Sequence, residues 1–356
     1  MGNAATSNET TSNETLSNAT IEMFGGKFLV VHQGHVSAMQ KAAAMVDRLY
    51  VIVTYNVELE QNSYFNHSVI TPISIEQRLR WWHQIIKDMN NVSVHAVEET
   101  NINNEPDWES CADRIKAVVA KPIDVVFSSE PSYEHYFSRL YPSTKHIVID
   151  PNRQAYPISP TRIRNEGAIK YWQQLPDVVK PYFAKSVVIV GTESTGKSTL
   201  VSKLAEYYET CLVAEAGRHF YEAIGAEIVL YEDFAAIAYE QKYQERQARK
   251  VANKVFFIDT EAITTQYFSM AYLQARQAVL DEIAKLQNYD LWLFLEPDVE
   301  WVADGLRSFG KVEVREKNNR LLKGLLAEFG INYHVISGDY DKRYHKAISL
   351  VDTLLY

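Results

Sequence analysis

An α/β chain built from two parallel-sheet domains is what the sequence predicts, and three observations carry the prediction. Short apolar runs such as Leu49–Thr54 and Ile123–Phe127 alternate with amphipathic stretches long enough for helices. The 356 residues exceed what one hydrophobic core usually covers, and neither half lacks apolar or aromatic residues. Mid-chain, the apolar run Val187–Val190 ends in GTESTGKS, Gly191 to Ser198, followed by a periodic segment with Leu200, Leu204 and Tyr208 on one face. Strand, glycine-rich loop and helix in that order make a phosphate-binding P-loop, and the chain before it is as long as a whole domain.

The loop's chemistry follows from its residue types. Gly191 and Gly196 let the backbone fold round an anion without obstruction. The amides of Thr192, Glu193, Ser194 and Thr195 and the positive end of the next helix then face the phosphates. Lys197 is expected at the β- and γ-phosphates, and Ser198 on magnesium with Thr199 beside it. ATP is the expected co-substrate and Mg2+ the expected metal.

Composition narrows the rest. A formal charge of -9 argues against a broad nucleic-acid footprint. Cys111 and Cys211 are the only cysteines, too few for a disulfide framework or a thiolate metal site, and the ten histidines show no HExxH spacing. Residues 1–21 carry an imperfect SNET/SNAT repeat with almost nothing to bury, and read as a disordered polar tail. Asn8, Asn13, Asn18, Asn66 and Asn91 begin sequons, but no secretory signal precedes them, so they read as composition. Gly2 and Thr6 satisfy a myristoylation pattern only loosely. No apolar run approaches the length of a membrane span, so the expectation is a cytoplasmic protein without an integral membrane segment. Homo-oligomer formation is left open.

In the first half, an apolar segment from Met23 is interrupted by Gly25, Gly26 and Lys27 and leads into a helix pattern, then the strand Leu49–Thr54. This is a βαβ opening, but its first turn carries His32 and His35 in place of GxGxxG, which disfavours a dinucleotide oxidoreductase. Their spacing puts both rings on one side of a helix start, where amides favour an anion and imidazoles can donate to phosphate. Helix capping is the plain alternative. Ser159, Thr161 and Arg164 form a second cluster, a capped helix start with cations beside its free amides, and Arg162 is left open. Ser74 to Met89 reads as a capped amphipathic helix, on which Trp81 or Trp82 could stack on a flat cationic ring or simply pack the core. Ser129, Glu130 and Tyr133 follow the strand Ile123–Phe127 on the ligand side of an open sheet, and Arg153 follows the strand His146–Ile149.

These segments resemble the nucleotidyltransferase superfamily. GKFLVVHQGH, Gly26 to His35, resembles its GxFxPxHxGH signature with Val30 at the usual proline, and ISPTRIR, Ile158 to Arg164, resembles ISxTxxR. The resemblance implies that His32, His35, Ser159, Thr161 and Arg164, with Gly26 and Phe28 of the first motif, surround an ATP triphosphate. From their places on the helix and beyond the strand ends, Trp81, Trp82, Ser129, Glu130 and Arg153 are the expected substrate-binding residues.

In the second half, Cys211–Ala214 reads as a strand delivering EAGR. Glu215 there could accept a hydroxyl proton, and Arg218 could hold substrate or phosphate. Val255–Ile258 ends in Asp259, a Walker-B-like carboxylate expected near the magnesium of Ser198. Gly305 and Arg307 make a candidate cationic lid. Strands at Asp290–Leu295 and Tyr333–Ile336 complete five, and Gly338 to Arg343 could border the adenine. GTESTGKS, EAGR, FFIDTEAITTQ, WVADGLRS and ISGDY resemble the ribosylnicotinamide kinase domain of the bifunctional nicotinamide-mononucleotide (NMN) adenylyltransferase and ribosylnicotinamide kinase family. With the first-half motifs and RLRWW the resemblance covers about residues 22 to 356.

The expected architecture is therefore a Rossmann-like nucleotidyltransferase domain over 22–178, a linker over 179–185, and a P-loop NTPase-type kinase domain over 186–356. The tail leaves no room for the helix-turn-helix domain of longer relatives. The expected ligands are nicotinamide riboside, NMN, ATP and NAD, with no nucleic acid. The expected catalytic set is His32, His35, Lys197, Glu215, Asp259 and Arg307, and the sequence does not decide which of Glu215 and Asp259 acts as base. Phosphopantetheine adenylyltransferase joined to dephospho-coenzyme A kinase pairs the same chemistries and is the rival enzyme; a non-catalytic NAD/ATP sensor is the rival from another class.

Overall fold

In the computed structural model the described residues are 20–102, 105–225, 228–301 and 311–356. The chain divides into two compact units, Met1–Val179 and Lys180–Tyr356. The stretch read as a linker holds a helical turn, Lys180–Phe183, and the start of a strand.

The first unit is built on a parallel sheet of β1 Ile21–Gly26, β2 Arg48–Tyr55, β3 Val92–Glu98, β4 Val125–Ser128 and β5 Lys145–Val148, in the order β3-β2-β1-β4-β5. Crossovers run through α1 Gln33–Ala43, α2 Ile75–Ile85, α3 Trp108–Val119 and α4 Glu134–Leu140; α5 Pro160–Glu166 follows β5. The strand order reverses between β1 and β4, which opens a crevice at their carboxyl ends. One face of the sheet, with Met23, Ile52 and Val126, packs against Ala112, Ile115 and Val119 of α3 and Leu140 of α4. α3 starts where the Asp107 side chain accepts from Ser110 N at 3.1 Å and stops at Ala120, whose φ of 54° is left-handed.

The second unit repeats the plan with β6 Lys185–Val190, β7 Leu212–Val213, β8 Val255–Asp259, β9 Leu291–Leu295 and β10 His334–Ile336, in the parallel order β10-β9-β6-β8-β7. Its helices are α6 Lys197–Tyr207, α7 Ala216–Ile224, α8 Asp233–Val251, α9 Ala262–Leu273, α10 Ala278–Lys285, α11 Val312–Glu328 and α12 Tyr340–Leu355. β6 and β8 are buried along nearly their whole length, so both read as unbroken apolar runs rather than as alternation. Burying each such Val or Ile is worth about 1.5–3 kcal/mol. Among the described residues no helix is long and apolar enough to cross a membrane.

Candidate active sites

The turn leaving β1 shapes the first site. Phe28 has a φ of 53°, and a Cβ on Gly26 would come 3.1 Å from the Phe28 ring, so glycine gives that ring room to fold back. Two buried arginines hold the turn. Arg78 Nη1 donates to the Lys27 carbonyl at 2.8 Å and pairs with Glu60 at 2.9–3.0 Å, and Arg164 Nη1 donates to the Leu29 carbonyl.

His32 caps α1 and His35 sits in its first turn, their rings stacked 3.7 Å apart at 17°. The His32 amide donates to His35 Nδ1 at 3.4 Å, which leaves that nitrogen as acceptor and puts the ring proton on Nε2. Burial, reinforced by the Arg153 charge, lowers the His32 pKa to about 3. Burial, then His32 and Arg153, holds His35 well below the ordinary histidine range, so both are neutral near pH 7. Among the described residues neither buried His32 ring nitrogen has a hydrogen-bond partner, which suits both to a polar ligand.

A cavity of about 400 Å³ opens beside these rings. Gly26, Phe28, His32, His35, Ser129, Glu130, Arg153, Thr161 and Arg164 all line it. Arg153 Nη2 meets Glu130 Oε1 at 2.5 Å, and Thr161 Oγ1 accepts from Arg164 Nη2 at 3.1 Å. Ser159 is not on the wall: it caps α5, its Oγ accepting from Arg162 N at 3.3 Å.

The tryptophan expectation needs correction. Trp81 is 1% and Trp82 0% exposed, and neither lines the cavity. α2 turns Trp82 inward against Phe24 and Phe28, with ring centroids 6.5 and 4.8 Å away, so it packs the core behind the turn. The aromatic wall is instead Trp108 at the start of α3, stacked on Tyr136 at 4.4 Å and edge-on to Tyr133 at 5.8 Å. Sequence reading passed over it. The available signal was Asp-Trp at a helix start just beyond the end of β3, the ligand side of the sheet.

In the second unit, Gly191 and Gly196 are where backbone must pass closely. A Cβ on Gly191 would lie 2.8 Å from the Leu295 carbonyl, and one on Gly196 3.1 Å from the Tyr340 ring, where φ is 86°. Lys197 Nζ donates to the Thr192 carbonyl at 3.1 Å, and Ser198 Oγ donates to Asp259 Oδ2 at 2.6 Å. The Ser198–Asp259 contact brings the P-loop hydroxyl to the Walker-B-like carboxylate.

Glu193 to Thr199, Glu215 and Arg218 line a cavity of about 240 Å³ whose far wall is Tyr221, Phe234, Ile237 and Phe268. Gly191 and Thr192 lie beneath this surface. Burial raises the Glu215 pKa, with Lys197 opposing and Asp259 reinforcing. Gln241, 2% exposed, holds the carboxylate-bearing ends of β7 and β8 together: its Oε1 accepts from Ala216 N at 2.9 Å and its Nε2 donates to the Asp259 and Thr260 carbonyls at 3.2 Å. Arg343, expected near an adenine, instead latches the loop. It donates to Thr195 O at 2.6 Å, Glu296 O at 2.8 Å and Gly338 O at 2.8 Å, and pairs with Asp298. Arg307 and Gly305 lie outside the described residues.

Paired histidines at a helix start and a P-loop opposite a buried carboxylate define a nucleotidyltransferase unit followed by a P-loop kinase-like unit. Residues 23–166 match the cytidylyltransferase-like family and residues 186–343 the AAA domain family. The trifunctional NAD biosynthesis/regulator protein NadR of Salmonella typhimurium is 35% identical over 339 residues, spanning 93% of this chain and 82% of that protein. The chain belongs to the NadR family. Crystal structures of NadR protein in complex with NR, and with NAD and AMP-PNP, share the fold: TM-scores 0.77 and 0.76, 23% and 22% identity, each covering 95% of this chain and 96% of the other.

Proposed function

We propose that the second unit phosphorylates the 5′-hydroxyl of nicotinamide riboside with ATP, and that the first unit couples the resulting NMN to AMP from a second ATP, giving NAD and pyrophosphate. The observation that carries the reading is the presence, on a chain of the NadR family, of two lined pockets suited to consecutive steps. One sets the half-buried Glu215 carboxylate beside a P-loop, and the other is lined by both neutral histidines and aromatic residues.

In the kinase step the acceptor nucleoside lies against Phe234, Ile237 and Phe268 with its hydroxyl toward Glu215. The raised pKa of Glu215 suits a proton acceptor, while Asp259, already bonded to Ser198, suits metal binding. Magnesium fits this hydroxyl–carboxylate pair, because that ion takes few protein oxygens and completes its shell with phosphate and water. When bound, it would offset phosphate charge. Lys197 and Arg218 neutralise the transferring phosphoryl group.

In the adenylyl step the NMN phosphate oxygen attacks the α-phosphorus of ATP and the bond to pyrophosphate breaks. A phosphomonoester is already a competent nucleophile, so no covalent enzyme intermediate is needed. His32 and His35, as neutral N–H donors, together with Thr161 and Arg164, stabilise the charge that builds on the phosphate oxygens. Arg153 and Glu130 line the acceptor side, and Trp108 offers an electron-rich face to the cationic nicotinamide ring.

The test is direct: full-length protein, ATP and magnesium are given nicotinamide riboside, NMN, phosphopantetheine or dephospho-coenzyme A, and products are resolved by chromatography. The expected products are NMN from the riboside and NAD from NMN. Turnover of the pantetheine substrates alone refutes the acceptor assignment, and nucleotide binding without either transfer refutes catalysis.

A further inference from the structure

The P-loop carries an acid that cannot serve phosphate. Glu193 is the third residue of Gly191–Ser198 and only 9% exposed. Two like charges 4 Å apart repel by about 4 kcal/mol near a protein surface, so a carboxylate has no place facing a triphosphate. Its Oε1 accepts the phenol proton of Tyr272 on α9, and both residues line the 240 Å³ cavity with Glu215 and Arg218. Burial and the Glu193 charge raise the Tyr272 pKa, so the phenol keeps its proton and stays a donor. Glu193 and Glu215 line the same small cavity, so one ligand there meets both carboxylates.

Glu193 thus belongs both to the loop that handles the donor's phosphates and to the wall of the acceptor pocket. A ribonucleoside whose 5′-hydroxyl points at the transferring phosphate has its 2′- and 3′-hydroxyls left to satisfy before the base is reached. We propose that Glu193, oriented by Tyr272, accepts hydrogen bonds from the vicinal diol of the acceptor ribose and so selects ribonucleosides over their deoxy analogues. The proposal rests on the reading that this cavity takes a nucleoside. It assigns Glu193 to the acceptor rather than to ATP. Two O–H donors match the geometry of one carboxylate, and a deoxy analogue forfeits both of these charge-assisted hydrogen bonds, which makes rejection strong.

The experiment uses the full chain and compares kinase kcat/KM for nicotinamide riboside and its 2′,3′-dideoxy analogue in wild type, Glu193→Gln and Tyr272→Phe. Wild type is expected to prefer the riboside by at least about 100-fold. Glu193→Gln should lose roughly 10- to 100-fold on the riboside and nothing on the analogue, with KM for ATP unchanged. Tyr272→Phe should move the same way by less. Adenylyl transfer by the same preparations reports that the chain is folded. An equal loss on both nucleosides, or a raised KM for ATP, overturns the proposal, because either assigns Glu193 to the loop or to Glu215. A displaced acid limb of the rate profile with the preference intact also overturns it. A wild type that phosphorylates neither nucleoside removes the underlying reading and this proposal with it.

Discussion

Gly34→Ala isolates how the paired histidines are presented. Gly34 lies in the first turn of α1, where alanine is the better helix former by about 1 kcal/mol, so propensity alone predicts a stabler protein. The added Cβ, however, would stand 3.0 Å from both Cε1 and Nδ1 of His32, with Tyr156 Cβ 3.5 Å away. Carbon atoms prefer about 3.5–4.0 Å, so the imidazole has to retreat by roughly 0.5 Å. It cannot retreat freely, because the His35 ring is stacked against it at 3.7 Å. A misplacement of about 1 Å at a reacting centre costs on the order of 100-fold, so half of that predicts a loss of about 10-fold in adenylyl transfer. Overall stability should stay within about 1 kcal/mol, since the helix gain and the steric cost oppose. The assay is NAD formation from NMN and ATP, with NMN formation from nicotinamide riboside as the internal control. If G34A keeps its full adenylyl rate, the tight seating of His32 is not what the reaction uses. If both rates fall together, the sites are not separate.

Trp108→Ala should raise KM for NMN roughly 10-fold, as expected for loss of a cation–π and stacking face, and leave the kinase rate alone; Trp82→Phe, behind the turn, should alter stability without a comparable rise in that KM. Arg343→Met leaves the carbonyls of Thr195, Glu296 and Gly338 without their donor, so denaturant unfolding of the kinase unit should show a loss of about 3–5 kcal/mol. The pH dependence has a defined sign. His32 and His35 titrate in the folded chain below the unfolded value of about 6.5, so the unfolded chain binds protons first. Their stability contribution is full above that pH and is lost as pH falls toward the folded values, by at most about 1.4 kcal/mol per unit for each histidine. Melting curves between pH 7 and 5 should fall less steeply for His32→Gln than for wild type, and identical slopes contradict the burial argument.

What the sequence showed and what it hid follow from how far apart the interacting residues are. GTESTGKS and the His32–His35 spacing are local, so their strand, turn and helix were readable without any tertiary information. β3 is an edge strand in which Val92, Val94 and Ala96 alternate with Ser93 and His95, so it lacks the unbroken apolar run that marks β2. Helical spacing leaves Trp82 open to ring stacking or core packing, because it does not say which neighbour a helix faces. Only the return of Phe28 onto α2 decides that. Gln241, Arg78 and Arg343 are polar residues that composition assigns to the surface. Their burial becomes intelligible once the backbone groups they satisfy, up to 148 positions away, are folded against them.

The two units meet one physical requirement in the same way. A turn that must present amides or imidazoles to phosphate cannot also close its own backbone hydrogen bonds, so its carbonyls are left without donors. In each unit a buried arginine from a later helix supplies the donor: Arg164 of α5 to Leu29, and Arg343 of α12 to Thr195. The turn is thereby fixed before any ligand arrives, which lowers the ordering cost at binding. The two arginines nevertheless differ. Arg164 also faces the cavity, whereas the Arg343 donors go to backbone carbonyls and Asp298, away from the pocket wall. Loss of Arg164 should therefore reduce both stability and adenylyl rate. Loss of Arg343 should reduce the kinase rate only as far as the loop itself loosens, an effect that bound ATP should partly reverse.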